Sequence, residues 1–208
     1  MIEKQKNRLI IIGASGHGKV VADIAYRNGY KDIAFLDDRK SLVECIGYPV
    51  LDVVDMAECY SNADFAIGVG NTRIRERIQK NLIEKGLNLV TLIHPQATIG
   101  MHVSIGIGTV VMAGAVISPD TVIGDGCIIN TSASVDHDNR LDDYTHISVG
   151  SHLAGNVTVG RSTWIGIGAV VSNNINICAG CMIGAGAVVI RDIKVPGVYI
   201  GVPAIIKQ

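Results

Sequence analysis

Residues 136–146 read Asp-His-Asp-Asn-Arg-Leu-Asp-Asp-Tyr-Thr-His, the most charged run in an otherwise bland C-terminal half. A neutral imidazole at His137 has the chemistry of a general base near pH 7. A carboxylate on Asp138 can orient and polarise that ring. Neighbouring side chains diverge in a flat strand, so such a pair requires a corner. Without a ligand, the same run reads as a hydrophilic patch on a surface.

A second constellation lies near the start. Gly13-Ala14-Ser15-Gly16-His17-Gly18 follows the apolar run Leu9–Ile12 and precedes an amphipathic stretch from Lys19 to Asn28. Glycines at such a strand-to-helix junction let backbone approach a ligand, and a helix N-terminus favours phosphate. The spacing is not GxGxxG, so the dinucleotide fingerprint is not met. Asp37 and Asp38 close a second strand, Ile33–Leu36, where an acid reaches a ribose hydroxyl or a base edge. Gly70 and Asn71 follow a third strand beginning at Phe65. All three segments fall at the carboxyl ends of strands, where parallel sheets bind ligands, and a nucleotide or nucleotide-sugar fits them.

Metal chemistry is not favoured. His146 and His152 are six apart and Cys178-Ala-Gly-Cys181 is a lone pair, so neither forms a ligand set.

The elements that must position these residues follow from a repeat. From Ile93 to Val195, every sixth residue is Ile, Val or Leu, eighteen consecutive positions. Four residues after each, the side chain is usually small or compact, such as Ala115, Thr121, Cys127 or Thr163, although Asn139 fills that slot beside His137. A period of six is neither helical nor a simple alternation. It predicts short strands and corners, three hexads to an eighteen-residue triangular coil, in a left-handed parallel β-helix of roughly five coils. Cys127 and Cys181 then point inward as core, and His137 lies near a corner facing out. The first half reads as βαβ, with strands at 8–12, 33–36, 65–70 and 89–93 and a second helix from Thr72 to Lys85. The fold class is thus a Rossmann-like α/β domain, residues 1–93, followed by an all-β helix with a C-terminal tail, residues 94–208.

Composition agrees. Gly is 24 of 208 residues and charged residues are 18%, against about 7% and about 25% ordinarily. Thin aliphatics inside and flexible corners outside account for both. A net charge of −1 argues against nucleic acid or an anionic membrane as partner. No run approaches the roughly 18–20 apolar residues of a membrane span, and MIEKQKNR before LIIIGASG lacks signal-peptide features. Five scattered cysteines point to a reducing cytoplasm.

With GASGHGKV, LDD, GVGN, the hexads with DHD and HISVG, and the closing PGVYIGVPA, the chain resembles the sugar acetyltransferases of the hexapeptide-repeat superfamily. The resemblance is to bacterial UDP-4-amino-sugar N-acetyltransferases of glycan biosynthesis and the related sialic acid O-acetyltransferases. It implies a homotrimer using acetyl-CoA, with His137 as base and Asp138 as its partner; relatives commonly carry the longer Glu there. It places His146, Ile167 and Ala185, with Gly155 nearby, at acetyl-CoA. Ser15, Gly16, His17, Asp37, Asp38 and Gly70 match nucleotide-sugar positions. Trp164 occupies a slot where a smaller residue is expected. A regular prism lacks internal clefts, so a coenzyme groove between subunits is expected. The leading function is acetylation of the 4-amino group of a UDP-linked 4-amino-4,6-dideoxy sugar. Sugar O-acetylation and a non-catalytic nucleotide-sugar-binding protein are the alternatives.

Overall fold

The computed structural model describes residues 8–207. The charged start of the chain, on which the reading against a signal peptide partly rests, lies outside the described residues. The chain divides into two compact units, Met1–Pro95 and Gln96–Gln208.

In the first unit, β1 (Leu9–Ile12), β2 (Ile33–Leu36), β3 (Glu44–Cys45), β4 (Tyr48–Asp52), β5 (Asp64–Ile67) and β6 (Asn88–Leu89) form one sheet in the order β3-β4-β2-β1-β5-β6. β1 pairs in parallel with β2 and β5, and its four residues are fully buried. A parallel strand covered on both faces needs such a continuous apolar run. Helix α1 (Gly16–Arg27) buries Val21, Ala22, Ile24 and Ala25, while Val20 faces outward. Helix α2 (Thr72–Glu84) is capped by the Asn71 side chain, which accepts the Ile74 N–H at 3.1 Å.

Two features differ from the sequence reading. The expected strand at 89–93 is instead Asn88–Leu89 on this sheet, with Leu92–Ile93 outside it. The β3–β4 hairpin is additional. Its Ile46-Gly47 turn has φ of 50° and 81°, a two-residue connection without the usual Asn-Gly signal.

The second unit is a left-handed parallel β-helix. Strands of two residues pair with those eighteen residues on, as in Ile128↔His146, His146↔Trp164 and Trp164↔Met182. Ile129, Ile147, Ile165 and Ile183 therefore stack inside one face, and Val135, Leu153 and Val171 inside the next, all essentially inaccessible. The hexad rule stops before its apparent end. Val195 is 59% exposed, and Ile193, bridged to Ile177, takes the inward place. Corners adopt left-handed backbone, which selects Gly, Asn and Asp; Asp120, Asp138, Asn156 and Asn174 all have φ near 60°.

Candidate active site

His137 and Asp138 occupy one such corner, between the strands Ser134–Val135 and Arg140–Leu141. With Asp138 at φ 59°, its carboxylate swings beside the preceding ring instead of to the opposite face. Asp138 Oδ2 lies 2.7 Å from His137 Nδ1, so the shorter acid reaches. A carboxylate only accepts, which places the ring hydrogen on Nδ1 and leaves Nε2 with a lone pair. The hydrogen bond that His137 donates to Asp138, followed by the charge of Asp136, raises the imidazole pKa above its ordinary value. Both side chains are more than half exposed. The corner can therefore meet an external proton donor.

His146 is buried one hexad and a half further on. Its Nε2 stands 3.1 Å from the Asn130 amide nitrogen, and Asn130 Oδ1 accepts the Thr131 N–H at 2.8 Å, which fixes the amide as donor. The His146 ring stacks on Trp164 at 5.1 Å between centroids and 10° between planes. Trp164 Nε1–H in turn donates to Ser148 Oγ. Trp164, unassigned from sequence, is thus the wall that joins His146 to an apolar hollow of about 220 Å³. Ile167, Met182 and Ala185 also line it. Gly155 is not brought there; it lies against the ring of His137.

In the first unit, a cavity of about 540 Å³ is lined by Gly13, Asp37, Asp38 and Val69, with Arg77 and Asn81 from α2. Gly13 has φ +99°, and a side chain on Gly18 would collide with Gly13 O, so these two glycines serve a tight strand–helix junction. Gly16 and Gly70 have open space where a Cβ would be. Ser15 and Gly16 are exposed at the N-terminus of α1, whose first turn carries no acidic residue and no side-chain cap. His17 turns inward. Its Nε2 is buried without a hydrogen-bond partner among the described residues, and burial, aided by the charge of Arg75, lowers its pKa to about 4. Arg75, itself buried, donates from Nη1 to Gly70 O at 2.7 Å and holds the loop after β5.

Asp37 borders the same cavity, but its carboxylate is engaged within the protein. Its Oδ1 accepts from Arg39 N and Nε, and its Oδ2 from Ala14 N and Arg39 Nη2, at 2.8–3.0 Å. These bonds fill the acceptor capacity of a carboxylate and, led by the Arg39 side chain, lower its pKa to about 2. Asp37 braces the glycine turn. Asp38 accepts the Val54 N–H through Oδ1 and borders the cavity.

Sequence reasoning missed Asn130, Arg75 and Arg77. Arg75 carried a signal, because Arg75, Gln79 and Leu82 share the i, i+4, i+7 stripe that α2 buries. Cys181 is poorly suited to act as a nucleophile. Burial, with the Cys178 contact at 3.5 Å, pushes the Cys181 thiol up to about 12.

A left-handed β-helix with an exposed His–carboxylate corner and an apolar hollow on one sheet, preceded by a glycine-turn α/β unit, is the architecture of a hexapeptide-repeat acyltransferase. The PglD N-terminal domain family matches residues 8–82. The acetyltransferase domain of PglB from Neisseria gonorrhoeae FA1090, solved in complex with acetyl coenzyme A, is 42% identical over 97% of this chain and 100% of that one, with a TM-score of 0.94. PerB from Caulobacter crescentus, in complex with CoA and GDP-perosamine, is 37% identical over 96% and 97%, with a TM-score of 0.92. UDP-N-acetylbacillosamine N-acetyltransferase of Bacillus subtilis (strain 168) is 38% identical over 108 residues, a match spanning half of this chain and half the length of that relative. The chain belongs to the hexapeptide-repeat sugar acetyltransferase family.

Proposed function

We propose that the chain transfers the acetyl group of acetyl-CoA to the 4-amino group of a UDP-linked 4-amino-4,6-dideoxy sugar in bacterial glycan biosynthesis. The observation that carries this reading is the 2.7 Å contact between His137 Nδ1 and Asp138 Oδ2, which leaves Nε2 free to take a proton. Relatives named for UDP- and GDP-linked amino sugars support the acceptor class. Open space at Gly16 and the uncapped start of α1 suit a diphosphate, and Asp38 suits a base or ribose donor.

The apolar hollow beside Trp164 suits the pantetheine arm and acetyl group of the donor, with Ile167 and Ala185 along it and His146 adjoining. The amine nitrogen bonds to the thioester carbonyl carbon and the carbon–sulfur bond breaks. His137 Nε2 takes the amine proton and delivers it to the departing thiolate, while Asp138 stabilises the imidazolium. A backbone amide supplies the oxyanion contact. Direct attack is simpler than an acyl-enzyme, since it needs no covalent nucleophile. The reading includes a homotrimer, with donor grooves between subunits, and a cytoplasmic location, which five free cysteines suit.

Thiol release from acetyl-CoA over a panel of acceptors tests the function. Turnover with UDP-4-amino sugars is the expected result. Turnover confined to sialic acid or other hydroxyl acceptors overturns it.

A further inference from the structure

We infer that Asn139 is a positioning residue for His137, setting the orientation of the corner that carries the base. The inference rests on His137 being that base.

Asn139 is fully buried in the small-residue slot of its hexad. Elsewhere this slot runs a polar ladder inside the helix. Its hydroxyls donate to the carbonyl fifteen residues on, Thr109 to Gly124 O at 2.9 Å and Thr163 to Cys178 O at 3.0 Å. The same two oxygens accept the N–H eighteen residues on, from Cys127 at 2.9 Å and Cys181 at 3.2 Å. Asn139 makes both ladder bonds, from Nδ2 to Ala154 O at 3.0 Å and from Val157 N–H to Oδ1 at 3.1 Å.

The amide then does something a threonine cannot. Nδ2 carries a second hydrogen, and it reaches back to Asp136 O at 2.6 Å, with His137 O a longer shared acceptor at 3.3 Å. These carbonyls flank His137. Ser151 also reaches back, to Ser148 O at 2.7 Å, but shares one hydroxyl hydrogen with Gly166 O at 3.0 Å. Apart from the contact between His137 and Asp138, the other bonds at this corner recur elsewhere: Asp138 N–H to Pro119 O beside Asp120 N–H to Met101 O, and His137 N–H to Asp136 Oδ1 at 2.9 Å beside Thr131 N–H to Asn130 Oδ1. Asn139 is therefore what distinguishes this corner, and it orients the two peptide planes on which the imidazole is mounted.

Asn139→Thr separates a positioning role from a structural one, because threonine preserves both ladder bonds and loses the back-reaching pair. The expected result is kcat lowered by between about 10- and 100-fold with KM for both substrates unchanged. Unfolding stays close to wild type. The His137 imidazole, followed by its Cε1 proton resonance, titrates at lower pH as its alignment with Asp138 loosens. Asn139→Ala, the residue this slot holds at 133 and 169 and one with no side-chain donor to reach back, is the second variant should threonine fail to fold. Wild-type kcat and an unmoved His137 titration overturn the inference, as does lost stability with kcat unchanged. His137→Ala measured alongside distinguishes the failures. If it retains turnover, the base assignment falls; if it is inactive while Asn139→Thr is unimpaired, only the role of Asn139 falls.

Discussion

The imidazole of His137 lies over Gly155, one coil further along, so closely that a Cβ on Gly155 would stand 2.6 Å from both Cε1 and Nε2. The glycine is a floor for the base. Nothing in its backbone requires glycine, since it is absent from the positive-φ residues, and the demand comes from the ring above.

Gly155→Ala is therefore expected to move the ring and leave the fold intact. The methyl displaces an exposed side chain and not packed core, so stability stays within about 0.5 kcal/mol. The rate constant falls by about tenfold or more, about 1.4 kcal/mol of barrier, with both KM values held. Steady-state thiol release beside a thermal melt reads both quantities.

The pH dependence has a definite sign. Only neutral His137 accepts a proton, so kcat/KM rises with pH through the His137 pKa of the free enzyme. The Asp138 hydrogen bond raises that pKa. Asp138→Asn removes the charge but keeps an acceptor, so the acidic limb moves to lower pH while the plateau drops by about 10- to 100-fold. Full pH–rate profiles of both proteins check the shift.

Trp164 is the single tryptophan of the chain and borders the apolar hollow while stacking on His146. Acetyl-CoA is expected to change its fluorescence saturably, giving a dissociation constant without turnover. Trp164→Leu raises the KM for acetyl-CoA by roughly tenfold, through lost aromatic contact, and leaves the acceptor KM unchanged.

The adjacent aspartates of the first unit differ in engagement, Asp37 being bonded by Ala14 and Arg39 and Asp38 by Val54. Asp38→Asn is expected to raise the acceptor KM by about tenfold, as loss of a charge-assisted hydrogen bond does, without altering thermal stability. Asp37→Asn weakens the brace on the glycine turn and lowers stability by about 1 kcal/mol, the exposed Arg39 contributing little. Substrate kinetics and urea unfolding of the pair tell the two roles apart.

The hexad stack was legible in the sequence because each inward aliphatic slot is set by steric fit, and period six admits few solutions. The His137 corner was legible for the same reason, since position within a hexad fixes position on the prism. What escaped sequence reading depends on side-chain reach across coils. Trp164 meets His146 only because residues eighteen apart stack on one face, and Asn130 reaches the same ring from sixteen residues before it. The internal engagement of Asp37 was not legible because its four hydrogen bonds come from Ala14 and from Arg39, a residue that the LDD motif does not include. Val195 kept the period in sequence after the coil had ended, where a tail residue no longer has an interior to fill.

The central claim is that Nε2 of His137 removes the proton from the acceptor amine. Thiol release by His137→Ala, at saturating acetyl-CoA and a UDP-4-amino sugar, tests it most directly. The predicted result is kcat lowered by about 10²- to 10⁴-fold with both substrates still bound at near wild-type affinity. Turnover within a few-fold of wild type, with a pH–rate profile retaining its acidic limb, would contradict it.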